Sequence, residues 1–277
     1  MPVSSALLLK LTLAPMLVGL ASLIAFRVGP RLGGVVTALP VVTGPLLWLY
    51  SIEQGQAFAA AAASRTLVGT LALLAYCLAY AGVAQVRSRQ REHASGSRLN
   101  VAEAQLWPWL CMLVGWAAFI VAAAILGHLR WTKATGVALA LAAVVTGLSI
   151  FRHVAQSSSS RFPGVLRIRL LLLRMGAAGL LVSSLATAAA QLGPAWSGLL
   201  AAFPVVSTVM LVATHLERGW GGALAWLRGF YVGLFGYVAF VSVIAYALVS
   251  LGNLRAFMLG LAAAILTQAL VTRVPSR

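Results

Sequence analysis

Apolar positions in this chain run in blocks rather than alternating with polar ones. Nine blocks stand out, at 5–27, 32–51, 62–84, 106–127, 133–151, 168–191, 195–215, 228–250 and 254–273. Apolar runs of about 20 residues are what α-helices need to cross the hydrocarbon core of a bilayer. The pattern therefore predicts an all-α integral membrane protein with about nine transmembrane helices. Polar residues collect between the blocks. One linker carries Arg87, Arg89, Arg91 and Arg98; another carries Arg152, Arg161, Arg167 and Arg169 around the serines at 157–160, a flexible patch. Trp107 and Trp109 open a block, and Trp131 and Trp220 fall in short connections, as an aromatic belt would place them. The first block has only Lys10, inside it, as a positive charge, and no clean small-residue cleavage site follows. It reads as a span, not a secretory signal.

Composition agrees. Hydrophobic residues make up 61% of the 277 and charged ones only 9%, far from the quarter charged that soluble domains carry. The net charge of +16 comes from 20 Lys+Arg against 4 acids, all Glu. Nucleic-acid binding needs a soluble basic face, and here the cations lie between apolar blocks, so nucleic acid is excluded as a partner. Membrane lipids are the expected surround. Cys77 and Cys111 both fall inside blocks and are expected as buried thiols. No HExxH, paired Asp or Ser/His/Asp set is present. The four histidines form no metal spacing, and Gly33-Gly34 lacks the context of a phosphate loop. No enzyme, metal or cofactor is expected.

Lys and Arg also orient the chain. With nine spans and the N-terminus outside, Lys10, Arg65, Arg130, Lys133 and Arg255 face outward, and the other fifteen of the 20 face the cytoplasm. If blocks two and seven were re-entrant loops, this bias would vanish. The C-terminus is thus expected in the cytoplasm.

The chain repeats itself at an offset of 164 residues. Leu7-Leu8-Leu9-Lys10 matches Leu171-Leu172-Leu173-Arg174, and Gly29-Pro30 matches Gly193-Pro194. Gly34 matches Gly198. Pro40-Val41-Val42-Thr43 matches Pro204-Val205-Val206-Ser207. Glu53 and Gly55 match Glu217 and Gly219, Gly69 matches Gly233, and Arg65 pairs with Arg228 after a one-residue shift. Met112-Leu113-Val114-Gly115 matches Met258-Leu259-Gly260 more faintly. The plan is 4 + 1 + 4: a repeat over 1–127, a linker helix and basic loop over 128–167, and a second repeat over 168–277. The odd linker helix inverts the second repeat in the bilayer, a recurring plan of secondary transporters.

Trp196-Ser197-Gly198-Leu199-Leu200-Ala201-Ala202-Phe203-Pro204, followed by His215 and Glu217-Arg218-Gly219, resembles GlpM-like small bacterial membrane proteins. The resemblance covers mainly 168–250 and, more faintly, 5–85, where Ser51 and Gln54 stand for His215 and Arg218. It implies four-helix units in a bacterial inner membrane and carries no established activity.

Candidate chemistry sits at the breaks. Pro40 interrupts block two and Pro204 interrupts block seven, since proline removes a backbone donor and clashes with the preceding turn. Carbonyls freed in hydrocarbon need partners in protein or in a wet cavity. Pro40, Val41, Thr43, Pro204, Val205 and Ser207 are the candidate substrate-binding residues; proline kinks satisfied by neighbours are the rival reading. Lys10, Glu53 and Arg65 form one charged set, and Arg174, Glu217 and Arg228 its counterpart at the other face. They are candidate gates or charge-coupling groups, with snorkelling or helix capping as alternatives. Two inward cations and broken-helix N-termini favour an anion or an anionic headgroup. His215 is able to titrate near neutral pH, though a surface histidine at a helix end is the commoner case. Gly29, Gly33, Gly34, Gly193 and Gly198 are assigned to close helix packing. The leading expectation is a transporter or flippase working by alternating access on a small-molecule or lipid substrate, with a homodimer possible. A non-transporting scaffold for an envelope polysaccharide or lipid pathway is the alternative.

Overall fold

The computed structural model describes residues 29–40, 42–93, 101–154 and 193–273, with isolated positions between 16 and 27 and between 172 and 184. The described residues contain helices and no strand. In chain order they form α1 (Pro30–Ala38), α2 (Thr43–Glu53), α3 (Gln56–His93), α4 (Val101–His128), α5 (Lys133–His153), α6 (193–201) and α7 (Val205–Arg273). Five helical stretches are long and apolar enough to cross a membrane: Pro30–Glu53, Gln56–Gln90, Gln105–His128, Lys133–His153 and Gly193–Arg273. Backbone breaks at Gly219 (φ 65°) and Gly252 (φ 76°) divide α7 into three runs, α7a (205–218), α7b (220–251) and α7c (253–273). Large apolar side chains such as Leu113, Ile120, Ile125, Leu254, Ile265 and Leu270 stand exposed on α4 and α7c. A hydrocarbon surround suits these faces and water does not.

Sequence chemistry sets the ends. Pro30 starts α1 behind Gly29, where its missing N–H costs nothing. Thr132 caps α5 reciprocally with Thr135, satisfying donors that a helix start leaves open. Glycines with positive φ stand at equivalent turns of the two repeats: Gly29 (92°) with Gly193 (78°), and Gly55 (91°) with Gly219 (65°). An added Cβ at any of these four meets nothing within 4 Å. Gly29 and Gly193 therefore serve turns, not the close packing expected of them.

Close packing falls instead to glycines that cross between repeats. A Cβ on Gly34 of α1 would strike the Trp226 carbonyl of α7b, and one on Gly198 of α6 would strike the Ala62 carbonyl of α3. A Cβ added to Gly233 would lie 2.7 Å from the Ala38 Cβ, and one added to Gly69 2.6 Å from the Ala202 Cβ. Residues 34 and 198, 62 and 226, 69 and 233, and 38 and 202 are each 164 apart. The first half-helix of each repeat thus lies against the long helix of the other.

Helix directions follow from paired contacts. Arg65 meets Leu129, Gly115 meets Tyr76 and Arg87 meets Trp107, so α3 and α4 are antiparallel. Gly236 meets Ala264 and Gly260 meets Phe240, so α7b and α7c are antiparallel too. Tyr76 and Phe240 are equivalent positions, so Gly115 and Gly260 make the same contact in the two repeats. The linker helix α5 touches both. Its Gly136 packs on Ser64 and Leu67 of α3, and its Gly147 on Tyr231 of α7b, beside Cys77 of α3. At its ends, Lys133 lies over the Tyr246 ring at 5.4 Å and Arg228 donates to Phe151. Hence α5 runs with α3 and against α7b.

Three expectations change. Helix α3 continues to His93, so Arg87, Arg89 and Arg91 are helical rather than linker; apolar content ends there, but Gln and Arg still favour helix. Trp220 is buried, 8% exposed, and packs on His215 instead of lying in a belt. His215 itself is half-buried rather than a surface residue.

Candidate substrate site between two broken helices

Both prolines stand where the sequence predicts a break. Helix α1 ends at Ala38 and α2 begins at Thr43; α6 ends at 201 and α7a begins at Val205. The breaks are built alike. Each first half-helix closes with tight bonds: Leu39 N–H to Val36, and Ala202 and Phe203 N–H to Leu199 and Leu200. Such i→i−3 bonds finish a helix end. Each proline carbonyl then accepts the first bond of the next half-helix, Gly44 N–H at 2.9 Å on Pro40 and Thr208 N–H at 2.8 Å on Pro204. Proline fits here because its fixed φ suits a helix start and its ring ends the helix before it.

A cavity of about 90 Å³ lies between the two breaks. Its wall includes Thr37, Val42 and Thr43 from one break and Pro204, Val206 and Ser207 from the other, with Leu73 and Tyr237 from the long helices. Leu73 and Tyr237 are equivalent positions near the midpoints of α3 and α7b. Most of the wall is apolar. Its polar groups are the hydroxyls of Thr37, Thr43, Ser207 and Tyr237 and the backbone ends of four half-helices. Thr37 donates to Gly33 at 2.7 Å, and Thr43 donates from one break to Ala201 of the other at 3.3 Å. Ser207 is 7% exposed. The Ser207 hydroxyl and the start of α7a suit a solute with acceptor oxygens or negative charge.

Of the predicted binding residues, Thr43, Pro204, Val205 and Ser207 line this cavity. Pro40 is buried beside it without lining it, and Val41 lies outside the described residues. Val42, Val206, Thr37, Leu73 and Tyr237 were missed. The first three are neighbours of the prolines by number; Leu73 and Tyr237 arrive from distant blocks, and only their shared offset hinted at them.

The charged candidates do not line the cavity. Lys10 and Arg174 lie outside the described residues. Glu53 ends α2 and Glu217 falls at the end of α7a, both exposed, roughly 15 and 18 Å from the starts of their helices at about 1.5 Å per residue. Arg65 Nη1 donates to the Leu129 carbonyl at 2.9 Å, just past the end of α4 and before α5. Arg228 donates through Nε to Phe151 at 2.8 Å and through Nη2 to Val154 at 2.7 Å, at the far end of α5. Arg65 thus holds a carbonyl just past the C-terminus of α4, at the turn into α5, and Arg228 holds the C-terminal carbonyls of α5, as the helix dipole favours.

A polar contact that sequence reasoning missed lies beside α7a. Tyr80 Oη of α3 is 2.9 Å from His215 Nδ1, and the imidazole also packs on Trp220. Cys77 and Cys111 are free, buried thiols as expected. No family model, curated protein or solved structure matches this chain.

Proposed function

We propose that this chain is a secondary transporter that works by alternating access in a bacterial inner membrane, with the cavity between the breaks as its substrate site. One observation carries the reading: two equivalent broken helices enclose a hydroxyl-bearing space near the midpoints of the two long helices. Paired breaks of this kind build the sites of inverted-repeat transporters.

The contacts of α5 support inversion. A two-fold axis along the membrane normal would place equivalent residues at equal depth. Instead Gly136 meets the Leu67 region and Gly147 meets Tyr231, its equivalent, eleven residues further along α5. That is about 16 Å of helix. The nine-helix, 4 + 1 + 4 plan and the kinship of each unit with GlpM-like proteins belong to this proposal. So do the outward N-terminus and the gating role of the charged sets, with Arg65 and Arg228 closing opposite ends of α5.

A space of about 90 Å³ has room for several waters or a small solute, since one water needs roughly 10–15 Å³ of such space. A scaffold has no need of a hydroxyl-lined space between paired breaks.

Single cysteines at Val42 and Val206 test the reading in proteoliposomes. An impermeant thiol reagent is expected to reach both from either face, and phosphate, sulfate or chloride to slow the labelling. Labelling from neither face would remove the cavity from any transport path.

A further inference from the structure

The two repeats differ along one lane. From the cavity, α7a runs past Ser207 and Thr208 to His215 and Glu217. The Thr208 hydroxyl accepts from Trp116 Nε1 at 3.1 Å. The rings of Tyr76 and Tyr80 lie 6.2 Å apart in α3, both fully buried. Tyr80 Oη reaches His215 at 2.9 Å, and the His215 ring sits 5.8 Å from Tyr80 and 6.2 Å from Trp220. The positions 164 residues away from Thr208, Tyr76, Tyr80 and His215 are Gly44, Phe240, Ile244 and Ser51. A lane of hydroxyls ending in an imidazole therefore leads along α7a and α3 away from Ser207 at the cavity wall, and its counterpart is almost wholly apolar.

We infer that His215, held by Tyr80, is a proton-binding site that controls access to the cavity from the Glu217 side, which makes the proton the coupling ion. This rests on the transport reading. Histidine is the side chain that ordinarily changes charge between pH 5 and 8. Its ring packs on those of Tyr80 and Trp220. Tyr80 and Tyr76 come from α3, and Cys111 of α4 is Tyr80's neighbour. On α7a, Glu217 and Arg218 follow His215 at i+2 and i+3, so a carboxylate and a guanidinium both stand close to it in the chain. Arg87 and Arg89 continue α3 beyond Tyr80. In the neutral ring Nδ1 is able to accept from Tyr80 Oη. Protonation turns that nitrogen into a donor and adds a charge beside the Tyr80 and Trp220 rings, which packing serves worse than water. The charged form separates α7a from α3 and opens the lane; the neutral form closes it.

The Val42→Cys and Val206→Cys reporters test this when labelled from the Glu217 side across pH. About a tenfold faster rate at acid pH is expected, following a histidine titration. His215→Gln is expected to give a flat profile, and Tyr80→Phe to shift its midpoint. A His215→Gln profile that still follows pH overturns the proton site while leaving transport intact. Labelling from neither face at any pH overturns the transport reading itself. Trp220 gives a second readout in unlabelled protein: the fluorescence difference between wild type and Trp220→Phe is expected to titrate, and to stop titrating in His215→Gln. No titration in wild type also overturns the proton site.

Discussion

At the residue scale, one residue type does two separable jobs. Gly34 and Gly198 let backbones touch, because a Cβ on either would collide with a carbonyl of the opposite repeat. Gly34→Val and Gly198→Val are expected to lower stability by similar amounts, about 1–3 kcal/mol each, as overpacking does. Thermal unfolding in detergent reads this as matched falls in Tm. Gly82 is the contrast. It sits exposed in α3 with nothing within 4 Å of an added Cβ, so Gly82→Ala is expected to gain roughly 0.5–1 kcal/mol by helix propensity. Equal losses at all three positions would defeat the distinction. The offset made Gly34 and Gly198 visible as a pair, and Gly29 and Gly193 equally so. Their different jobs were not visible, because a left-handed turn and a backbone crossing both ask only for a missing Cβ.

At the element scale, the breaks were legible because proline is local chemistry. Pro40 and Pro204 stop one half-helix and seed the next by rules that need no tertiary partner. The fates of the arginines were not legible. Their partners are helix ends 64 and 77 residues away, and no sequence pattern announces which carbonyls a guanidinium will find. The geometry gives the capping reading a measurable form. Arg228 makes two bonds to the end of α5, and bonds with a charged partner contribute about 1.5–3 kcal/mol each when buried. Arg228 is half-buried, so Arg228→Ala is expected to cost about 1–3 kcal/mol in total. Lysine is expected to restore only part of this, since a point charge does not reproduce the planar fork. Arg65→Ala, losing one exposed bond, is expected to cost less. Calorimetry or chemical unfolding of the three variants decides it. If Arg228→Ala leaves stability unchanged but alters labelling of Val206→Cys, the arginine is a gate and not a cap.

At the scale of the whole molecule, the sequence announced a membrane protein and a duplication, but the handedness of that duplication rested on counting blocks. Miscounting one apolar block reverses the answer. The structure supplies a test that does not depend on the count, because α5 is a ruler against which both repeats are read. Arg65 is fixed at its start and Arg228 at its end. Helix α3 runs with it, and the equivalent α7b runs against it. If α5 crosses the bilayer, the two copies of the module enter from opposite faces, and so must the turns that precede α3 and α7b. Those turns carry Glu53 and Glu217, each two residues before a left-handed glycine and each exposed. Cysteine at 53 is therefore expected to react with an impermeant thiol reagent added outside cells, and cysteine at 217 only in inverted vesicles. The assignment of 53 to the outside follows from the cation bias. The opposition of the two sites follows from α5 alone, and it holds even if the bias misleads. Reaction of both from one face would leave α5 unable to span and would reduce the paired breaks to two kinks in a parallel bundle.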